Sequence, residues 1–150
     1  MATSRPFSAR RVGVLVSCLL LSGLVSACGA TAHLAGGQRV VDVTERDFTI
    51  KASPKRIAAG DVVFQSHNRG PDAHELIVVR ESGDTALQLR SDGMTVSEEA
   101  LKSSIVGTLE PGAPGSVREL RAHLVPGRYV LLCNMSGHYM GGMHTVVTVR

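Results

Sequence analysis

Tryptophan is absent from this 150-residue chain, and two Tyr and three Phe are its only aromatic residues, so any core it builds must be aliphatic. Cysteine is scarce as well. Of the three, Cys18 lies in the N-terminal leader and Cys28 at its end, which leaves Cys133 as the one thiol of the domain and excludes a disulfide-stapled scaffold. A strong charge of either sign is also missing. The formal charge is +3, but Arg5, Arg10 and Arg11 belong to the leader, leaving 13 basic residues against 13 acidic ones. With no basic stripe interleaved with aromatics, nucleic acid is excluded as a partner. The sequence has no internal repeat and no extended low-complexity segment, and its longest apolar run, Val12 to Val25, is too short for a membrane-spanning helix.

What is present begins with that leader. Arg10-Arg11 supplies a positive n-region, the apolar run follows, and small residues close it at Ser26 and Ala27, which is the pattern of a secretory signal over residues 1–27. Leu24-Val25-Ser26-Ala27-Cys28 resembles a bacterial lipobox, which makes Cys28 the expected lipidated first residue of the mature protein; an ordinary signal peptide with an incidental Cys near its cleavage site is the alternative. Acyl chains, at about 0.8 kcal/mol per buried methylene, would hold the domain at the outer face of a membrane. The paired arginines also raise twin-arginine export, which Val12-Gly13-Val14 match poorly, and the export route stays open. Residues 28–39 are small and polar, with Gly36-Gly37, and read as a flexible tether.

A single domain of residues 40–150 follows. Val40 to Val43, Asp47 to Lys51, Val62 to Ser66, Glu75 to Arg80, Gly115 to Ala122, Tyr129 to Leu132 and Thr145 to Arg150 have the β-branched content or alternation of strands, separated by Gly/Pro turns. Short strands so punctuated predict an all-β sandwich. Ser91 to Ile105 alone has helical character, with Ser97 ahead of Glu98-Glu99-Ala100-Leu101 as a capped turn, and is expected to form a short helical excursion.

The chemistry concentrates near the C-terminus. Cys133, His138 and Met143 recur at five-residue intervals on a segment that Gly137, Gly141 and Gly142 allow to fold back. A lone exported Cys pairs with another molecule, reacts, binds metal or is simply buried, and the regular His and Met favour metal. Thiolate, imidazole and a weak thioether suit copper, which cycles between a sulfur-seeking Cu(I) and a nitrogen-accepting Cu(II). A second imidazole must come from elsewhere, and Asn68-Arg69-Gly70-Pro71-Asp72-Ala73-His74-Glu75-Leu76 is the best source. His67 directly follows a strand without the turn that presents His74, and Met140 lies only two residues beyond His138. Met135 reads as a cap over the site, Tyr139 as packing beside His138, His144 as pointing away, and His33 and His123 as surface residues.

These two segments, with Tyr129-Val130-Leu131-Leu132 leading into Cys133, resemble the cupredoxins, the small blue-copper family of plastocyanin, azurin and rusticyanin, over nearly all of residues 40–150. Four residues between Cys and His, and four between His and Met, are most similar to the rusticyanin and sulfocyanin branch. The resemblance implies a Greek-key β-sandwich and one copper ion, with His74, Cys133 and His138 as equatorial ligands and Met143 as the axial one. It departs from the pattern at Glu75, where several members carry an Asn that braces the ligand loop; Asn68 and Asn134 are candidates to supply that bracing.

The implied function is a membrane-tethered, extracytoplasmic one-electron carrier between respiratory or oxidase partners, with His138 as the exit route and no small-molecule substrate. A copper-binding and delivery module is the alternative. Enzymatic copper chemistry would need a second copper site, and a binuclear centre would need two bridging cysteines.

Overall fold

The computed structural model describes residues 39–83 and 87–150. The expected signal segment, Cys28, most of the tether and His33 lie outside the described residues. Among the described residues are nine strands and one turn of helix: β1 (Arg39–Arg46), β2 (Thr49–Ser53), β3 (Arg56–Ile57), β4 (Gly60–Asn68), β5 (His74–Glu81), α1 (Glu98–Leu101), β6 (Ile105–Gly112), β7 (Val117–Leu124), β8 (Gly127–Leu132) and β9 (His144–Val149). They form two mixed sheets, β2-β1-β4-β7 and β3-β9-β8-β5-β6, with β1 parallel to β4 and β3 parallel to β9. This is the β-sandwich expected.

Period-two alternation accounts for the interior. Val41 and Val43 of β1 and Val62 and Phe64 of β4 face Leu76 and Val78 of β5, Tyr129 and Leu131 of β8, and Val147 and Val149 of β9, all buried in one cluster. Intervening residues on β1 point outward. β5 and β8 depart from that alternation with continuous apolar runs, because both of their faces are covered. On the outer face Ile77, Val79, Val130 and Leu132 pack against Val96 and Leu101 of the excursion.

That excursion is the short one expected. Only Glu98–Leu101 is α-helix, with the Ser97 side chain accepting from the Ala100 amide as an N-cap. Asp92 folds the preceding segment by accepting from the amides of Met94 and Thr95. β6 was not expected at all. Its Gly107, Pro111 and Gly112 disguise it as a loop, and it sits at a sheet edge paired only with β5, where proline is tolerated. The strand expected from Asp47 begins instead at Thr49, because Asp47 and Phe48 form the tight turn between β1 and β2.

Candidate metal centre

β8 delivers Cys133 immediately after its last residue, and β9 resumes immediately after Met143. The loop between them is closed by its own backbone. The Cys133 amide donates to the Met143 carbonyl (3.1 Å), the Met143 amide to the His138 carbonyl (3.0 Å), and the His138 amide to the Met135 carbonyl (2.9 Å). Gly137 and Gly142 have φ of 79° and 104°, which only glycine adopts without strain. From the other segment, His74 opens β5 at the same end of the sandwich.

The side chains of His74, Cys133 and His138 come together. His74 Nδ1 lies 3.3 Å from His138 Nδ1, and His138 Nδ1 lies 3.4 Å from Cys133 Sγ. All three donor atoms fall within 4.8 Å of one another. Nitrogens at about 2.0–2.1 Å and a sulfur at about 2.3 Å from one ion stand roughly 3.3–3.6 Å apart at tetrahedral angles. The separations seen match that edge length. A thiolate and two imidazoles at this spacing fit a single copper ion.

His74 and Cys133 are fully buried, and His138 is half-buried. Burial pushes the Cys133 thiol up to about 11, although the backbone amides of Met135 and Glu75 stabilise the thiolate. Burial also lowers His74 below the usual imidazole range; the His138 charge adds to this and Asp47 opposes it. Both shifts favour the uncharged side chains: the neutral imidazole is already the form that binds a metal, whereas a bound cation must displace the thiol proton.

Met143 is fully buried in the cluster that holds Cys133, whereas Met140 is 56% exposed. Met135 packs half-buried against the same cluster. His67 lies within β4 and contacts Gln65 and Asp42, while His123 is exposed and pairs with Asp61. His144 is exposed and meets Tyr139 with ring centroids 5.0 Å apart. Tyr139 therefore packs against His144 and the outer apolar cluster. Phe48 takes the place beside His138, edge-on at 5.8 Å.

Glu75 turns out to brace the loops itself. Its Oε1 accepts from the Asn134 amide at 2.8 Å, linking the residue after His74 to the residue after Cys133. Burial holds its carboxyl above the usual range. The two asparagines brace elsewhere. Asn68 donates to the carbonyls of Asp72 and Gly112 and accepts from the Gly70 amide, shaping the turn before His74. Asn134 pairs with both backbone groups of Val96 and donates to Glu98, strapping the excursion to the ligand loop. Beneath His74, Arg118 donates to its carbonyl (3.0 Å) and to the fully buried Glu45 (2.8 Å).

Sequence reasoning missed two neighbours of the imidazoles. Asp47 faces His74, and Phe48 covers His138 from a left-handed backbone conformation (φ 58°) that is unusual for an aromatic residue. Gly141 makes room for that ring, since a Cβ there would lie 2.2 Å from Phe48 Cδ1. The unusual φ of Phe48 was the kind of signal only coordinates carry.

No protein-family model matches the chain, and no curated protein matches it by sequence. Solved structures do match. Auracyanin from the photosynthetic bacterium Roseiflexus castenholzii superposes with a TM-score of 0.57 at 20% identity, over 77% of this chain and 99% of that one. Auracyanin A, described as a "blue" copper protein of Chloroflexus aurantiacus, gives 0.54 at 18% identity over 76% and 100%. An azurin of Methylomonas sp. strain J gives 0.52 at 15% over 75% and 98%. The fold of the domain is thus cupredoxin-like.

Proposed function

We propose that this domain is a single-copper, one-electron carrier of the blue type, working outside the cytoplasm and tethered to a membrane through lipidated Cys28. His74, Cys133 and His138 are its strong ligands and Met143 its weak axial one. The bound copper supplies the one-electron redox change. The observation that carries the reading is the convergence of two imidazole nitrogens and one thiol at 3.3 and 3.4 Å on a β-sandwich. The likeness of fold to a "blue" copper protein supports it.

Each protein group has a role in such a carrier. Glu75, Asn68 and Asn134 tie the ligand loops to the sheets and to each other, so the ligands are held before metal arrives. A site that moves little between oxidation states exchanges electrons at small reorganisation cost. His138 is the only one of the three donors that is not fully buried, and exposed Phe48 and Met140 lie beside or close after it. That apolar rim is where a redox protein, a respiratory or oxidase component, would dock, with His138 as the electron exit. No helix among the described residues is long and apolar enough to cross a membrane, so tethering rests on the leader alone.

Copper delivery is favoured by one feature. Met94 and Met140 expose thioethers near the ligand loop; Met94 receives the Ser136 hydroxyl at its sulfur and offers its carbonyl to the Gly137 amide. A delivery protein releases Cu(I) quickly to an acceptor and exchanges electrons slowly, so both rates measured on one preparation separate the two readings. The primary test is optical. Copper-loaded protein should be intensely blue or green through its thiolate bond, and Cys133→Ser should abolish the band. A colourless Cu(II) complex of the parent protein would sink the proposal.

A further inference from the structure

The turn between β1 and β2 places Asp47 against the far side of His74. Its Oδ1 stands 3.2 Å from His74 Nε2, the ring nitrogen opposite the one that faces Cys133 and His138. Both atoms are buried and neither makes a hydrogen bond among the described residues; at 3.2 Å they are within range of one another, though not aligned as a hydrogen bond. Gly70 lies over the pair. A Cβ there would come within 2.7 Å of Asp47 Oδ1 and 2.8 Å of His74 Nε2, closer than real atoms approach. The turn that carries Gly70 is itself tied to β1, since the Arg69 amide donates to the Glu45 carbonyl at 2.8 Å.

We infer that Asp47 is the positioning residue of the buried ligand imidazole: its carboxylate accepts from Nε2–H of His74, holds the proton on that nitrogen and so presents Nδ1 unprotonated to the metal. The inference rests on the copper reading above. A neutral imidazole carries one proton, and the partner of one nitrogen decides which of the two is free to ligate. The carboxylate also makes the ring a more basic ligand, which stabilises Cu(II) more than Cu(I). Gly70 is the residue that leaves room for this contact.

Asp47→Asn keeps an acceptor without the charge, Asp47→Leu removes both, and Gly70→Ala wedges the pair apart. Nitrogen-15 NMR of the metal-free full-length protein at pH 8 should show His74 protonated at Nε2 in the parent and in Asp47→Asn, and should show the Nδ1–H form gaining in Asp47→Leu. Cu(II) affinity should fall about 10–100-fold in Asp47→Leu and in Gly70→Ala. Asp47→Asn should raise the reduction potential, by about 59 mV for each tenfold loss of Cu(II) over Cu(I) affinity. Circular dichroism of each variant checks that the sandwich is intact. A parent His74 protonated at Nδ1, or an Asp47→Leu protein with parental tautomer, affinity and potential, overturns the role of Asp47. If the parent lacks the thiolate–copper band, the copper reading fails instead, and the tautomer measurement still decides whether Asp47 orients His74.

Discussion

The buried thiol of Cys133 makes the metal-free domain sensitive to alkali in a way that can be isolated. Its side chain is fully buried, and burial raises it from an ordinary 9.0 to about 11. The native state then holds a proton that the unfolded chain has released, so stability must fall as pH rises between those values. Below about pH 9 both states are protonated and the contribution is complete. Two pH units at 1.36 kcal/mol each give a loss of about 2.7 kcal/mol once the folded thiol has also ionised. Urea unfolding of the parent and of Cys133→Ala, from pH 7 to 11, removes every other titrating group from the difference. That difference should be flat to pH 9 and then shrink steadily. A difference independent of pH would refute the burial of the thiol as the dominant cause. Copper uptake at neutral pH should correspondingly release a proton from this thiol.

Three further outcomes follow from contacts around the site. Arg118→Met strands the fully buried Glu45 and should destabilise the domain by about 3–5 kcal/mol. Because burial holds Glu45 above the usual carboxyl range, the deficit in urea unfolding should be largest at neutral and higher pH and shrink as pH falls and the carboxyl takes up its proton, and Glu45→Gln should recover part of it. Gly141→Ala would place a Cβ 2.2 Å from the Phe48 ring, pushing it off His138 at about 1–3 kcal/mol, seen as a lower melting temperature and a His138 more open to alkylation. Glu75→Gln keeps an acceptor for the Asn134 amide but loses its charge, so the copper band should survive while the reduction potential rises. Glu75→Leu should broaden that band by freeing the two ligand loops from each other.

Much of the site was legible from local order. Cys133, His138 and Met143 lie within one loop between two alternating strands, so their proximity is dictated by a short stretch of chain and by glycines that let it fold back. His74 was legible too, because a turn-rich segment delivers it at the start of a strand. The strands with clean alternation or continuous β-branched runs were read correctly within a few residues. β6 was not, since an edge strand can carry Pro and Gly that elsewhere mark loops.

By itself, then, the sequence determined the sandwich, the proposed donor set and the order in which the chain delivers it. Only the tertiary structure decided what surrounds them. Asp47 precedes His74 by 27 residues and lies in the other sheet's hairpin; Phe48, not the adjacent Tyr139, covers His138; and Glu75 itself spans the two loops. These contacts depend on how the two sheets stack and on one turn with a left-handed residue. Local residue patterns specify which face of a strand is apolar, but not which distant side chain meets it across the sandwich.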